Sequence, residues 1–140
     1  MKPARPLMKS VIYQLAAEKA LMRRSSEVEV EDLLIALISR SATTRRVLTE
    51  KGLDPDHVAT IAGFALVGDR TDHVPRPSSE LVNALEYARN LSHPQSIALL
   101  AGVLNSTSFI TDYLEMNGIT ADTTIPHALT LYNALELENA

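Results

Sequence analysis

Cysteine and tryptophan are absent from the 140 residues, which hold only two phenylalanines and four tyrosines. Without thiols there is no disulfide framework and no thiolate metal site. The core has to be filled by leucine, isoleucine, valine and alanine, which suits packed helices better than a β-sandwich. Also missing is any run approaching the roughly 20 apolar residues of a membrane span. Lys2, Arg5 and Lys9 near the N-terminus are followed by Gln14, Glu18 and Lys19, which interrupt the apolar stretch that a secretory leader needs. A cytoplasmic protein is the expectation.

A basic excess is lacking too: 13 lysines and arginines stand against 17 acidic residues, a net charge of −4. Phosphate backbones call for a basic face, so nucleic acid is not an expected partner. Arg23–Arg24 and Arg45–Arg46 read as solvated helix faces or ends. The five glycines are scattered, with no G-x-x-x-x-G-K-[ST] phosphate loop, no G-x-S-x-G elbow and no HExxH. His57, His73, His93 and His127 include no i, i+4 pair, the spacing of a helical metal site, and read as surface or cap residues. Serines fall near helix ends, where capping explains them. No catalytic residue, cofactor or metal is expected, and the chain is not expected to be an enzyme.

What is present is a 46% hydrophobic content laid out at helical spacing. Met8, Val11, Ile12, Leu15, Ala16 and Ala20 predict one long helix from Leu7 to Arg23, entered at Pro6. Leu33, Leu34, Leu37 and Ile38 predict a buried helix whose first turn carries Glu31 and Asp32, where the positive end of the helix dipole favours carboxylates. A third helix, from about Ala42 to Lys51, stops at Gly52, with Leu48 and Leu53 placed for the apolar clasp of a Schellman cap. Asp54–Pro55 reads as an N-cap followed by a first-position proline, opening a fourth helix to about Ala65. The polar stretch from Gly68 to Pro77 reads as linker.

At an offset of 66 the pattern returns. LLIALI from Leu33 becomes LLAGVL from Leu99, Leu48 becomes Leu114, Gly52 becomes Gly118 and Leu53 becomes Ile119. With a loop two residues shorter, Tyr13, Ala16, Ala17 and Ala20 match Leu81, Ala84, Leu85 and Ala88. Ser78 is placed to cap the fifth helix, and a last helix is predicted from about Thr124 to Leu137. The expected architecture is all-α, two tandem four-helix repeats packed as a pseudo-twofold bundle. Repeat one covers 7–65, the linker 66–77 and repeat two 78–137 of a single domain over 1–140.

This arrangement resembles the N-terminal domain of Clp-type AAA+ unfoldases over about Leu7 to His127. That family's first repeat has an alanine-rich helix, here Ala16-Ala17-Glu18-Lys19-Ala20. It is followed by V-x-V-E-H-L-L-x-A-L, here Val28 to Leu37, and L-x-x-x-G-[apolar], here Leu48 to Leu53. The histidine before the leucine pair is Asp32 here and Ala98 in the second copy. Some members recognise phosphorylated arginine through a glutamate in each repeat; Glu31 keeps that place and Ile97 stands at its counterpart. The resemblance implies a non-catalytic module that docks adaptor proteins and unfolded protein substrates for Clp ATPase modules, in cis or in trans. Glu31 and Asp32, and Arg70 and Arg76 in the linker, are the candidate protein-binding residues. A free-standing regulator that docks on a Clp complex or sequesters its ligands, and an unrelated helical regulatory protein, are the competing readings.

Overall fold

The computed structural model describes residues 5–69 and 73–135. The first half forms α1 (Arg5–Met8), α2 (Val11–Met22), a two-residue strand β1 (Glu27–Val28), α3 (Val30–Arg40), α4 (Ala42–Glu50) and α5 (Pro55–Gly63). The second half forms β2 (Arg76–Pro77), α6 (Ser79–Arg89), α7 (Gln95–Asn105), α8 (Phe109–Met116) and α9 (Ala121–Leu135). The architecture is the all-α pseudo-twofold bundle expected, with α2–α5 as one repeat and α6–α9 as the other.

The two leucine-rich helices lie at its centre. Leu33, Leu34 and Leu37 of α3 and Leu99 of α7 are completely buried, and each such side chain stabilises the fold by about 2 kcal/mol before its ordering entropy is counted. Within each repeat the first helix covers the second, α2 on α3 and α6 on α7, while α3 and α7 pack on each other. The last helices cross over: α9 lies on α4, and α5 lies on its own α3 and against α8. Each half therefore closes the other.

The helix ends follow from local chemistry. Gly52 and Gly118 take the left-handed backbone, at φ of 78° and 80°. The N–H of Leu53 donates to the Leu48 carbonyl at 3.0 Å and that of Ile119 to the Leu114 carbonyl at 2.9 Å, the bonds that define a Schellman cap. Asp54 accepts from the Asp56 N–H to open α5, and Ser78 accepts from the Leu81 N–H to open α6.

Three expectations need correction. The single helix from Leu7 to Arg23 is two, because Ser10 adopts an extended backbone and its hydroxyl accepts the Tyr13 N–H at 3.0 Å. A serine that satisfies the backbone locally competes with helix continuity whatever the apolar spacing says. The last helix begins at Ala121, earlier than predicted, and holds Pro126 inside, which leaves the Asp122 carbonyl without its helical donor; residues 136 and 137 lie outside the described residues. The linker is partly built: β2 pairs in parallel with β1, Glu27 opposite Arg76 and Val28 opposite Pro77. The Arg76 N–H donates to Ser26 and the Ser78 N–H to Val28, so Pro77, which has no donor, occupies the position where none is needed.

Candidate functional site

The acidic start of α3 is the first place to look, and its carboxylates turn inward. A Schellman turn ends α2, with Arg24 at φ 58° and the Ser25 N–H donating to the Ala20 carbonyl. That turn aims Arg23 at Asp32, and two parallel bonds form, at 2.7 and 2.9 Å. Asp32 also accepts the Glu29 N–H at 2.9 Å, and the Glu29 side chain answers by accepting the Asp32 N–H, the reciprocal arrangement of a capping box. Asp32 is buried. Burial first, and then the Asp32 charge, push the Tyr13 phenol above its ordinary pKa. Glu31 is also buried, and its Oε2 accepts the Ile110 N–H of α8 at 3.2 Å, placing negative charge at the positive end of that helix. Asp32 thus ties α2 to α3, and Glu31 ties α3 to the opposite repeat.

Glu29, the N-cap residue of α3, has its pKa raised above the ordinary 4.5, first by burial and then by the charges of Glu27 and Glu31, against a hydrogen bond from Ser78. A carboxyl whose folded pKa is raised leaves stability intact below pH 4.5 and removes it as pH rises through the folded value, because the unfolded chain ionises first. Glu29→Gln, which keeps an acceptor for the cap, is expected to melt higher than wild type near neutral pH and equally in acid. Thermal melts across that range check it; a lower melting temperature at neutral pH would count against the reading.

Of the two linker arginines, Arg70 lies outside the described residues. Arg76 is exposed and lines a hollow of about 450 Å³ with Ser26, His73, Val74 and Pro75. The chain leaving α5 folds back here: Gly68 sits so close to the Arg23 carbonyl that a Cβ would lie 2.0 Å from it, and the Ser26 hydroxyl bonds the Asp69 carboxylate. Val67 and Met22 therefore come to the same end of α2. Leu21, Met22, Phe64, Val67 and Val74 are all solvent-exposed, and the stretch leaving α5 and the last turn of α2 supply most of them. The sequence carried a signal for the first of these, the apolar run Phe64 to Val67 at the mouth of a polar linker.

A second hollow, of about 260 Å³, lies between α4 and α9, lined by Val47, Glu50, Lys51, Thr123, Thr124 and His127. The His127 ring bonds Glu50 and, with Arg46, holds its carboxyl below the ordinary range. Among the described residues no three histidine, aspartate or glutamate side chains form a group able to hold a metal. A third hollow, of about 330 Å³, runs along the outer face of α2 past Lys9, Val11, Leu15 and Arg40. Among the described residues, the one hydroxyl–carboxylate pair at these places, Ser26 with Asp69, is exposed and bridges the linker to the end of α2. What they offer is exposed apolar surface beside charged side chains, the chemistry of protein recognition.

No protein-family profile matches the sequence, and no curated protein sequence matches it significantly. Solved structures do match. The N-domain of ClpV from Vibrio cholerae superposes with a TM-score of 0.71 at 25% identity, over 92% of this chain and 90% of that one. The Hsp104 N-terminal domain from Candida albicans superposes with a TM-score of 0.69 at 18% identity, over 86% of this chain and 85% of that one. The chain has the fold of a Clp-type N-terminal domain.

Proposed function

We propose, with that fold as the premise, that this chain is the non-catalytic protein-binding module of a Clp-type ATP-dependent unfoldase or protease system, docking adaptors and protein substrates for the ATPase ring. The observation that carries the reading is the shared fold over nearly the whole of both chains, 92% and 90% in the ClpV N-domain. The exposed apolar side chains at the end of α2 and the mouth of the linker supply a surface of the kind that receives unfolded segments. A module that hands its client onward has to release it, so binding in the micromolar range, about −8 kcal/mol or weaker, is expected.

Fluorescence anisotropy with labelled casein as the unfolded client tests the reading. Saturable binding of casein, outcompeted by other unfolded chains and not by a folded protein, is the expected result. Absence of any saturable binding would overturn it.

A further inference from the structure

Helix α8 carries an apolar stripe that the fold leaves open. Phe109, Tyr113 and Met116 recur at the i, i+4, i+7 spacing of one helix face, a stripe about 10 Å long at 1.5 Å per residue. Phe109 is 51% and Met116 86% exposed, with Tyr113 half-buried between them. Asp112 and Glu115 flank it, both exposed, and neither takes part in an ion pair among the described residues. At one end Phe109 borders a hollow of about 260 Å³ with Glu29, Glu31 and Glu80. Near the other, Asp112, Glu115 and Met116 line one of about 420 Å³. No lysine or arginine lines either hollow or stands in α8.

The internal duplication indicates what fits such a face. Val47 and Glu50 hold in α4 the places that Tyr113 and Met116 hold in α8. In α4 that face is covered: α9 packs along it, Val47 is buried, and His127 of α9 bonds Glu50. The counterpart of α9 is α5, which ends at Gly63 after nine residues where α9 continues for fifteen, and Met116 stays in solvent. The same face of the same repeat helix lies under a long helix in one copy and is only partly covered in the other, with Tyr113 half-buried and Phe109 and Met116 in solvent.

We propose that this face docks a basic amphipathic helix of a partner protein, its apolar side against Phe109, Tyr113 and Met116 and its lysines or arginines toward Asp112, Glu115 and Glu80. The assignment rests on the protein-binding reading above and sharpens it. An uncompensated negative rim speeds encounter with a cationic helix and rejects an acidic one.

The probe is a labelled amphipathic peptide of leucine and lysine at heptad spacing, titrated with the full chain, with a leucine–glutamate peptide as control. Saturable binding of the lysine peptide is expected, weakened by added salt. Combining Asp112→Lys with Glu115→Lys is expected to weaken it about tenfold or more. Circular dichroism verifies folding, and Glu115→Lys alone serves if the double variant melts. Equal binding of the glutamate peptide, or unchanged binding to the folded charge-reversed chain, would sink the assignment. Casein binding without lysine-peptide binding overturns this assignment alone; failure of both overturns the binding-module reading with it.

Discussion

Replacing Asp32 with alanine is expected to lower the unfolding free energy by about 3 kcal/mol, the lower end of the range for breaking a buried pair from one side. The lower end applies because the Arg23 side chain keeps 19% of its surface exposed, against 1% for Asp32, so water recovers part of the stranded guanidinium. Two losses combine. Arg23, whose Nε has no partner among the described residues, gives up both of its 2.7 and 2.9 Å bonds, and the Glu29 N–H gives up its acceptor at the start of α3. Urea unfolding followed by circular dichroism measures the change. Substituting both partners by apolar residues, Asp32→Leu with Arg23→Met, is expected to recover part of the loss, since no charge is then left buried. A loss below about 1 kcal/mol for Asp32→Ala would mean that the pair behaves as an exposed one.

That pair also marks where sequence reading stopped. The leucine pairs, the glycine caps with their apolar clasps and the Asp54–Pro55 start were legible because each is written within one or two helical turns, and the 66-residue offset was legible because those local signals recur at it. Arg23 and Asp32 are nine positions apart across a helix end, and nothing local says that they meet; Glu31 and Ile110 are 79 apart. An acidic first turn has the same appearance whether its carboxylates face water or cap another helix. The local clue was the capping box, a carboxylate at Glu29 answered by another three positions on at Asp32. Where the resembling domains carry histidine, this chain has Asp32, and Arg23 at the end of the preceding helix answers it.

The strand pair and the open face of α8 were illegible for different reasons. Two-residue strands are shorter than any window in which alternation can be read, and the valines at 28 and 30 served one strand and one helix. Phe109, Tyr113 and Met116 form an ordinary amphipathic stripe in the sequence, and helical periodicity assigns such a stripe to the core. Only the placement of α5 and α9 reveals that the matching face is covered in the first repeat and left largely open in the second. What a repeat leaves uncovered is decided between the halves, which the spacing within each half does not record.

Gly102 tests the contact between the halves of the second repeat through the sign of an effect. In a helix interior, alanine for glycine ordinarily stabilises by up to about 1 kcal/mol. In α7, a Cβ at Gly102 would lie 2.5 Å from the Ala84 carbonyl oxygen, 3.1 Å from its carbon and 3.4 Å from the Ala88 Cβ. The obstacle is the backbone of α6, which cannot swing aside as the end of a side chain does, so the helices have to separate or shift. Gly102→Ala is therefore expected to destabilise, and Gly102→Val to do so by about 3 kcal/mol, in the upper range for overpacked cores. The corresponding position in the first repeat is Ala36, fully buried in α3, where the Cβ is accommodated. Alanines stand at the matching positions of both first helices, Ala16 and Ala20 on α2 and Ala84 and Ala88 on α6, so the missing Cβ at Gly102 is what admits the α6 backbone so near α7. Thermal and urea melts of both variants give the answer; a more stable Gly102→Ala chain would show that α6 and α7 are not in backbone contact at this crossing.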